Sequence, residues 1–289
     1  YLVLALNFSS VASSMERLEE SFNTYCKIVM TGFAERNAHL LGEEAVEKLR
    51  ELKTGDALLG SLCQSANSKG QKIYLILDEY DNFANNILVD YGNERYRSIT
   101  HGSGFFRGFL KVVKDYSNSV IERIFLTGVS PVTMDDLTSG FNIAANYSNS
   151  PTFNNMMGFN EQEVRTLIDY YKSYRKLPHT TNELIDIMKP WYDNYCFARQ
   201  SLSSDPKMFN CDMVLYYLRN RIQLGASPEQ MIDPNTRTDY NKMKKLIQLD
   251  RLDGNRKGVI KRIAEEGKII TNLFQSFSAD QITNPEIFP

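Results

Sequence analysis

Histidine and tryptophan are scarce in this chain, with three His and a single Trp among 289 residues, and there are only four Cys. His39, His101 and His179 lie far from one another, and Cys26, Cys63, Cys196 and Cys211 form no C-x-x-C pair. That excludes a zinc site of the usual ligand spacing. The scattered cysteines read as free thiols of a reducing cytosol, so the expected location is cytoplasmic. No apolar stretch approaches the roughly 20 residues of a membrane helix, and no basic segment opens a signal peptide. Neither sign of charge dominates: Lys and Arg total 33, Asp and Glu total 35, and the net charge is -2. A globally basic surface for nucleic acid is thereby excluded. Also lacking is G-x-x-x-x-G-K-[ST], the loop that cradles phosphates. The one Gly-Lys pair, Gly267-Lys268, is followed by Ile269 and has no upstream glycine at the required spacing.

What is present is a soluble-type composition, 42% hydrophobic and 24% charged, with buried strand patterns that alternate with helical ones. "YLVLALNF" is a short apolar strand that ends at Asn7 and Ser9, and a helical stripe of Met15, Leu18, Phe22, Tyr25, Val29 and Phe33 follows it. Further helical patterns cover 43–52 and 56–66. "KIYLILDEYDN" is a second buried strand, followed by a loop rich in Asn, Gly and Ser and a helix over 105–116. "ERIFLTGVS" is read as a third buried strand, and "FNNMMGF" as a fourth candidate. This alternation predicts an α/β fold with a mostly parallel sheet and flanking helices. From about residue 176 helices dominate, over 182–192, 212–224, 228–232 and 258–277, so the expected division is a core of 1–175 and a smaller helical subdomain of 176–289.

The chemistry points to the end of the second strand. In open parallel sheets ligands sit beyond the carboxyl ends of the strands, and Asp78 and Glu79 stand at such an end. A buried strand ending in Asp-Glu suits a nucleotide site, the Walker B arrangement, in which Asp78 holds Mg2+ and Glu79 polarises the attacking water. The bland alternative is a pair of solvated acids, or acids that cap the next turn, as Asp81 and Asn82 could. Thr127 and Ser130 end the third strand, where a polar residue could sense the γ-phosphate; equally, their hydroxyls could satisfy loop backbone groups. Because the first residues read as a strand that follows the phosphate loop, the expectation is that this loop lies upstream and that the chain is cut at both ends. By itself the chain is expected to be inactive.

Other features pull less strongly. Glu51-Leu52-Lys53 and Glu266-Gly267-Lys268 match the E-x-K of restriction-like nucleases but sit in charge-rich helical contexts. "WYDNYCF" reads as a tight turn at Asp193-Asn194 with its aromatics packed into a core, rather than as a base-stacking platform. Arg107 could reach phosphate or serve as a solvated or ion-paired helix residue. Between Lys242 and Arg262 eight Lys or Arg face only Asp250 and Asp253, a stripe that could meet nucleic-acid phosphates or be a solvated helical face.

Taken in order, "YLVLALNFSS", "IYLILDEYDN", "GFFRGFLKVVK", "IFLTGVSPV", "MMGFNEQEV" and "WYDNYCF" resemble the AAA-ATPase-like domain family, found largely in bacteria and especially gut Bacteroidetes. The resemblance implies a P-loop NTPase of the archaeal-ATPase and STAND type that uses ATP and Mg2+. It implies Walker B roles for Asp78 and Glu79, a sensor-like strand end at Thr127 to Ser130, and a restriction-like nuclease domain beyond Pro289. The chain departs from the family in lacking the phosphate loop. A rival expectation is a non-catalytic interaction or nucleic-acid-binding module built on an ATPase fold.

Overall fold

The computed structural model describes residues 1–12, 14–128, 143–175, 177–203, 207–234, 263 and 265–268. The chain divides into two compact units, one containing Tyr1–Ala144 and the other beginning at Ala145.

The first unit is built on a parallel sheet of β1 (Leu2–Asn7), β2 (Ile73–Asp78) and β3 (Ile121–Leu126), in the order β1-β2-β3. The period of two in β1 and β2 sends Leu2, Leu4 and Leu6 and then Ile73, Leu75 and Leu77 to one buried face. Full burial of each such side chain is worth about 1.5–3 kcal/mol. Against that unit's core pack α1 (Leu18–Arg36), α2 (Ala38–Leu41), α3 (Glu43–Glu51), α4 (Gly55–Ser68), α5 (Asn82–Thr100) and α6 (Phe105–Tyr116). Helix α4 lies between α1 and α6. Burial pushes the thiols of Cys26 on α1 and Cys63 on α4 up to about 12, so both behave as core apolar groups. The α/β class is that expected from the alternation.

Three local expectations are corrected here. Residues 82–100 are a helix, not a loop. Phe83, Ala84, Ile87, Tyr96 and Ile99 supply it with a buried stripe, and Asn86 Nδ2 donates to Asn82 Oδ1 at 3.0 Å along its surface. Burial thus overrides the poor propensity of Asn, and Gly92, at φ 83°, takes up the kink. The third strand is not buried throughout: among the described residues it pairs only with β2, and Phe125 is 47% exposed. The "FNNMMGF" segment is turn rather than strand, with Phe159 joined to Phe209 by an isolated antiparallel bridge.

The second unit contains α7 (Glu161–Tyr174), α8 (Thr181–Tyr192) and α9 (Cys211–Leu224), packed around Val164, Ile168, Leu184, Met188, Val214 and Leu218. Capping boxes start α7 (Asn160 with Glu163) and α8 (Thr180 with Glu183), and Asn210 caps α9. Residues 228–232 are not helical. The hydroxyl of Tyr216 donates to the Gln230 carbonyl at 3.0 Å and that of Tyr192 to the Met231 carbonyl, so these acceptors are occupied by side chains. The helix expected at 258–277 and the basic stripe from Lys242 to Arg262 lie outside the described residues, apart from a few residues near 265.

Candidate functional site at the strand ends

Parallel pairing in register sets Asn7 beside Asp78. One residue past the end of β3, Thr127 donates its backbone N–H to the Leu77 carbonyl at 2.9 Å and accepts the Tyr80 N–H at 3.1 Å. The exits of all three strands therefore meet at one carboxylate. Asp78 Oδ2 accepts from Asn7 Nδ2 at 2.7 Å, and Asp78 Oδ1 accepts from the Thr127 hydroxyl.

The neighbouring elements hold these exits rigidly. Phe8, which follows Asn7, is fully buried, with its ring 5.3 Å from Phe22, 6.0 Å from Phe83 and 5.9 Å from Phe109. Phe83 belongs to the helix that β2 feeds, so the same aromatic cluster fastens the exits of both β1 and β2. Ring pairs of this kind add about 0.5–1.5 kcal/mol each beyond their area. From α1, Tyr25 accepts the Asn7 backbone N–H at 2.6 Å. Burial raises the Tyr25 phenol above its ordinary range, and the charge of Asp78 raises it further.

Glu79 follows with a backbone φ of 52°, in the left-handed region. For a residue with a Cβ this conformation costs about 1–2 kcal/mol. Its carboxylate is half-buried and makes no hydrogen bond or ion pair among the described residues. Asp81, by contrast, is completely buried and accepts from Asn85 Nδ2 at 2.6 Å. It occupies the N-cap position of α5 without making a side-chain cap bond. The Asp81 side chain faces Gly128: a Cβ there would collide with Asp81 Oδ1 and stand 2.6 Å from Cε1 of Tyr80.

Of the residues singled out in the sequence, Asp78, Glu79 and Thr127 come together, while Ser130 lies outside the described residues. Arg107 donates to the Gly102 carbonyl at 2.8 Å, closing the turn before α6. In "WYDNYCF" only part of the aromatic group is core: Tyr192 is buried, whereas Trp191 is 55% exposed. Trp191 follows Pro190 in the last turn of α8 and lies off the buried stripe of Leu184, Ile185, Met188 and Tyr192. Two residues of the site were not legible from pattern alone. Asn7 reads as the first residue of a loop, and Tyr25 as one more member of an apolar helix stripe. The signal that would have found Asn7 is the register of the two parallel strands.

The oxygen-rich donor set of Asp78, Glu79 and Thr127 fits a hard divalent cation such as Mg2+, which is commonly held by one or two carboxylates together with phosphate oxygens and water. Among the described residues no group of three or more His, Cys, Asp or Glu gathers as a metal cluster. No helix among them is long and apolar enough to cross a membrane.

Residues 1–138 match the family model described as "Predicted AAA-ATPase". This stretch is similar to the AAA-ATPase-like family. No curated protein and no solved structure matches the chain. Every strand-end residue of the site lies inside the AAA-ATPase-like stretch, and α7, α8 and α9 lie after it.

Proposed function

We propose that the strand ends form the metal-and-water half of an ATP-hydrolysing site. The observation that carries this reading is the contrast between two adjacent carboxylates. Asp78 is held from both sides by Asn7 and Thr127, and Glu79 is held in a strained backbone conformation with its carboxylate unbonded among the described residues. Strained backbone concentrates at functional sites. Each Asp78 oxygen accepts one hydrogen bond and keeps a second lone pair for a cation or its water shell.

In this reading Asp78 orients the cation, Glu79 accepts a proton from the attacking water, and the Thr127 hydroxyl ties the third strand to the Asp78 carboxylate. Mg2+, when bound, would be held through Asp78 and would supply positive charge to neutralise what develops on the phosphate. Ser130 is proposed to sense the γ-phosphate together with Thr127. The G-x-x-x-x-G-K-[ST] pattern does not occur in these 289 residues, so hydrolysis requires a phosphate-holding segment from elsewhere in a longer polypeptide. The first unit would form the ATPase core and the helices of the second unit the part that nucleotide state switches. Nucleic-acid contact through the Lys242 to Arg262 stripe, a nuclease domain beyond Pro289 and a cytoplasmic location belong to the same proposal.

The test is an ATP turnover assay with Mg2+. The chain alone should give no turnover. Joined to a segment carrying the phosphate loop it should hydrolyse ATP, and Glu79→Gln should then retain bound ATP while turnover falls by at least about a hundredfold. Turnover by the chain alone that Glu79→Gln abolishes would remove the need for an added loop. A joined protein that binds ATP but is indifferent to Glu79→Gln and Asp78→Asn would favour the rival reading, a non-catalytic module on an ATPase fold.

A further inference from the structure

Asn7 stands at the end of a strand that precedes the acidic pair by some seventy positions, yet three separate attachments determine which atom it shows to Asp78. Its Oδ1 accepts the Ser9 backbone N–H at 2.9 Å. The amide is thereby oriented: the NH2 end faces Asp78 Oδ2 at 2.7 Å, and the opposite flip would set two acceptors against each other. Its backbone N–H is bonded to the Tyr25 hydroxyl at 2.6 Å, which ties the strand exit to α1. The next residue, Phe8, is anchored in the aromatic cluster.

A carboxylate on a short side chain turns easily about its last torsion, which is broad and roughly two-fold. Donors on opposite sides of the group stop that rotation. Asn7 supplies one and Thr127 the other, each to a different oxygen of Asp78. Asparagine suits the position chemically because it is neutral: it donates to the carboxylate without competing for a cation. Serine could accept from the Ser9 N–H as well as asparagine does, but it carries no amide donor for Asp78.

We propose that Asn7 is a positioning residue for divalent-cation binding by Asp78, fixing the plane of the carboxylate so that its remaining lone pairs face away from the strands. This rests on the reading of Asp78 as the cation-holding residue. The amide acts as an outer partner of the ligand rather than as a ligand. Loss of such partners in metal sites typically weakens affinity by about ten- to a hundredfold.

Mn2+ added alone, as a paramagnetic stand-in for Mg2+, provides the probe. Free Mn2+ is counted by electron paramagnetic resonance against the wild-type chain, Asp78→Asn, Asn7→Ser and Asn7→Ala, and each protein's melting temperature is recorded. Expected are one site abolished by Asp78→Asn and a loss of affinity of about tenfold in both Asn7 variants. Asn7→Ser should melt with the wild type, since it keeps the turn cap, and Asn7→Ala carries the test if Asn7→Ser does not fold. If both Asn7 variants bind as wild type while Asp78→Asn does not bind, Asn7 is a turn cap only and the role of Asp78 stands. Wild-type protein that binds no Mn2+, or binding unchanged in Asp78→Asn, overturns the cation reading of Asp78 and the role of Asn7 with it.

Discussion

Among the described residues, two turns set an aspartate before a non-glycine residue with positive φ: Asp78-Glu79 in the first unit and Asp193-Asn194 in the second. At the second turn the conformation is locally explained. Asparagine enters the left-handed region more readily than other side chains, the Asn194 N–H bonds to Asp193 Oδ1 at 2.6 Å, and Tyr195 and Met208 then exchange backbone hydrogen bonds at 3.1 and 2.9 Å. At the first turn the residue is Glu, which has no such preference, and its carboxylate makes no bond among the described residues. One turn uses the residue that suits the backbone; the other carries a poorly suited residue that local structure does not require. Two turns of like backbone therefore separate a structural device from a candidate chemical one.

The largest expected effects come from the glycines packed beside each turn region. Gly128→Ala would force its Cβ into Asp81 and Tyr80, and Gly158→Ala would set a Cβ 2.9 Å from the Cβ of Met208 at a φ of 98°. Each should lower stability by about 2 kcal/mol or more, read from urea unfolding. The comparison sharpens in a second measurement. Gly128→Ala shifts the segment that carries Asp78 and Glu79 and should weaken Mn2+ binding in the folded protein as well. Gly158→Ala acts on Met208 and Phe209 and should leave that binding at the wild-type level. Equal losses of Mn2+ binding in the two variants would break the distinction.

Much of the first unit was legible because strand and helix periods differ. Leu2, Leu4 and Leu6 alternate, "KIYLILDEYDN" ends a buried run in acids, and the stripe from Met15 to Phe33 recurs at helical steps. Residues 82–100 were not legible, because "NFANN" has turn composition and only the buried packing of Phe83, Ile87 and Tyr96 reveals the helix. The partial exposure of β3 follows from its pairing only with β2 among the described residues, and strand order cannot be read from local pattern. The same holds for the site. Asp78, Glu79 and Thr127 announce themselves at strand ends, whereas Asn7 acquires its role only from a register that joins residues 71 positions apart. The strain at Glu79 is likewise invisible in composition.

That strain supplies the next prediction. Glu79→Gly admits φ 52° freely, but it also loosens the unfolded chain, so the net gain in stability should be about 0.5–1 kcal/mol. The same variant should lose ATP turnover in a protein completed by the phosphate loop, because the proton acceptor is gone. A more stable and less active protein is the signature of strain retained for function. Glu79→Gly that is both less stable and still active would remove the reason for assigning this turn a chemical role.

The smallest effect is expected at the other turn, and it is the control that gives the Glu79 result meaning. Asn194→Gly also meets a φ of 86° with a residue that accepts it freely. Asparagine already tolerates that region, so less strain is available for release, and the greater freedom of glycine in the unfolded chain offsets most of it. Stability should change by less than about 0.5 kcal/mol in either direction, with the turn still held by the N–H of residue 194 on Asp193 and by the paired backbone of Tyr195 and Met208. Measured side by side in urea, the difference between the two glycine variants isolates what Glu costs at position 79 beyond the backbone conformation itself. A gain at Asn194 equal to that at Glu79 would mean that the first turn stores no more strain than a structural turn does.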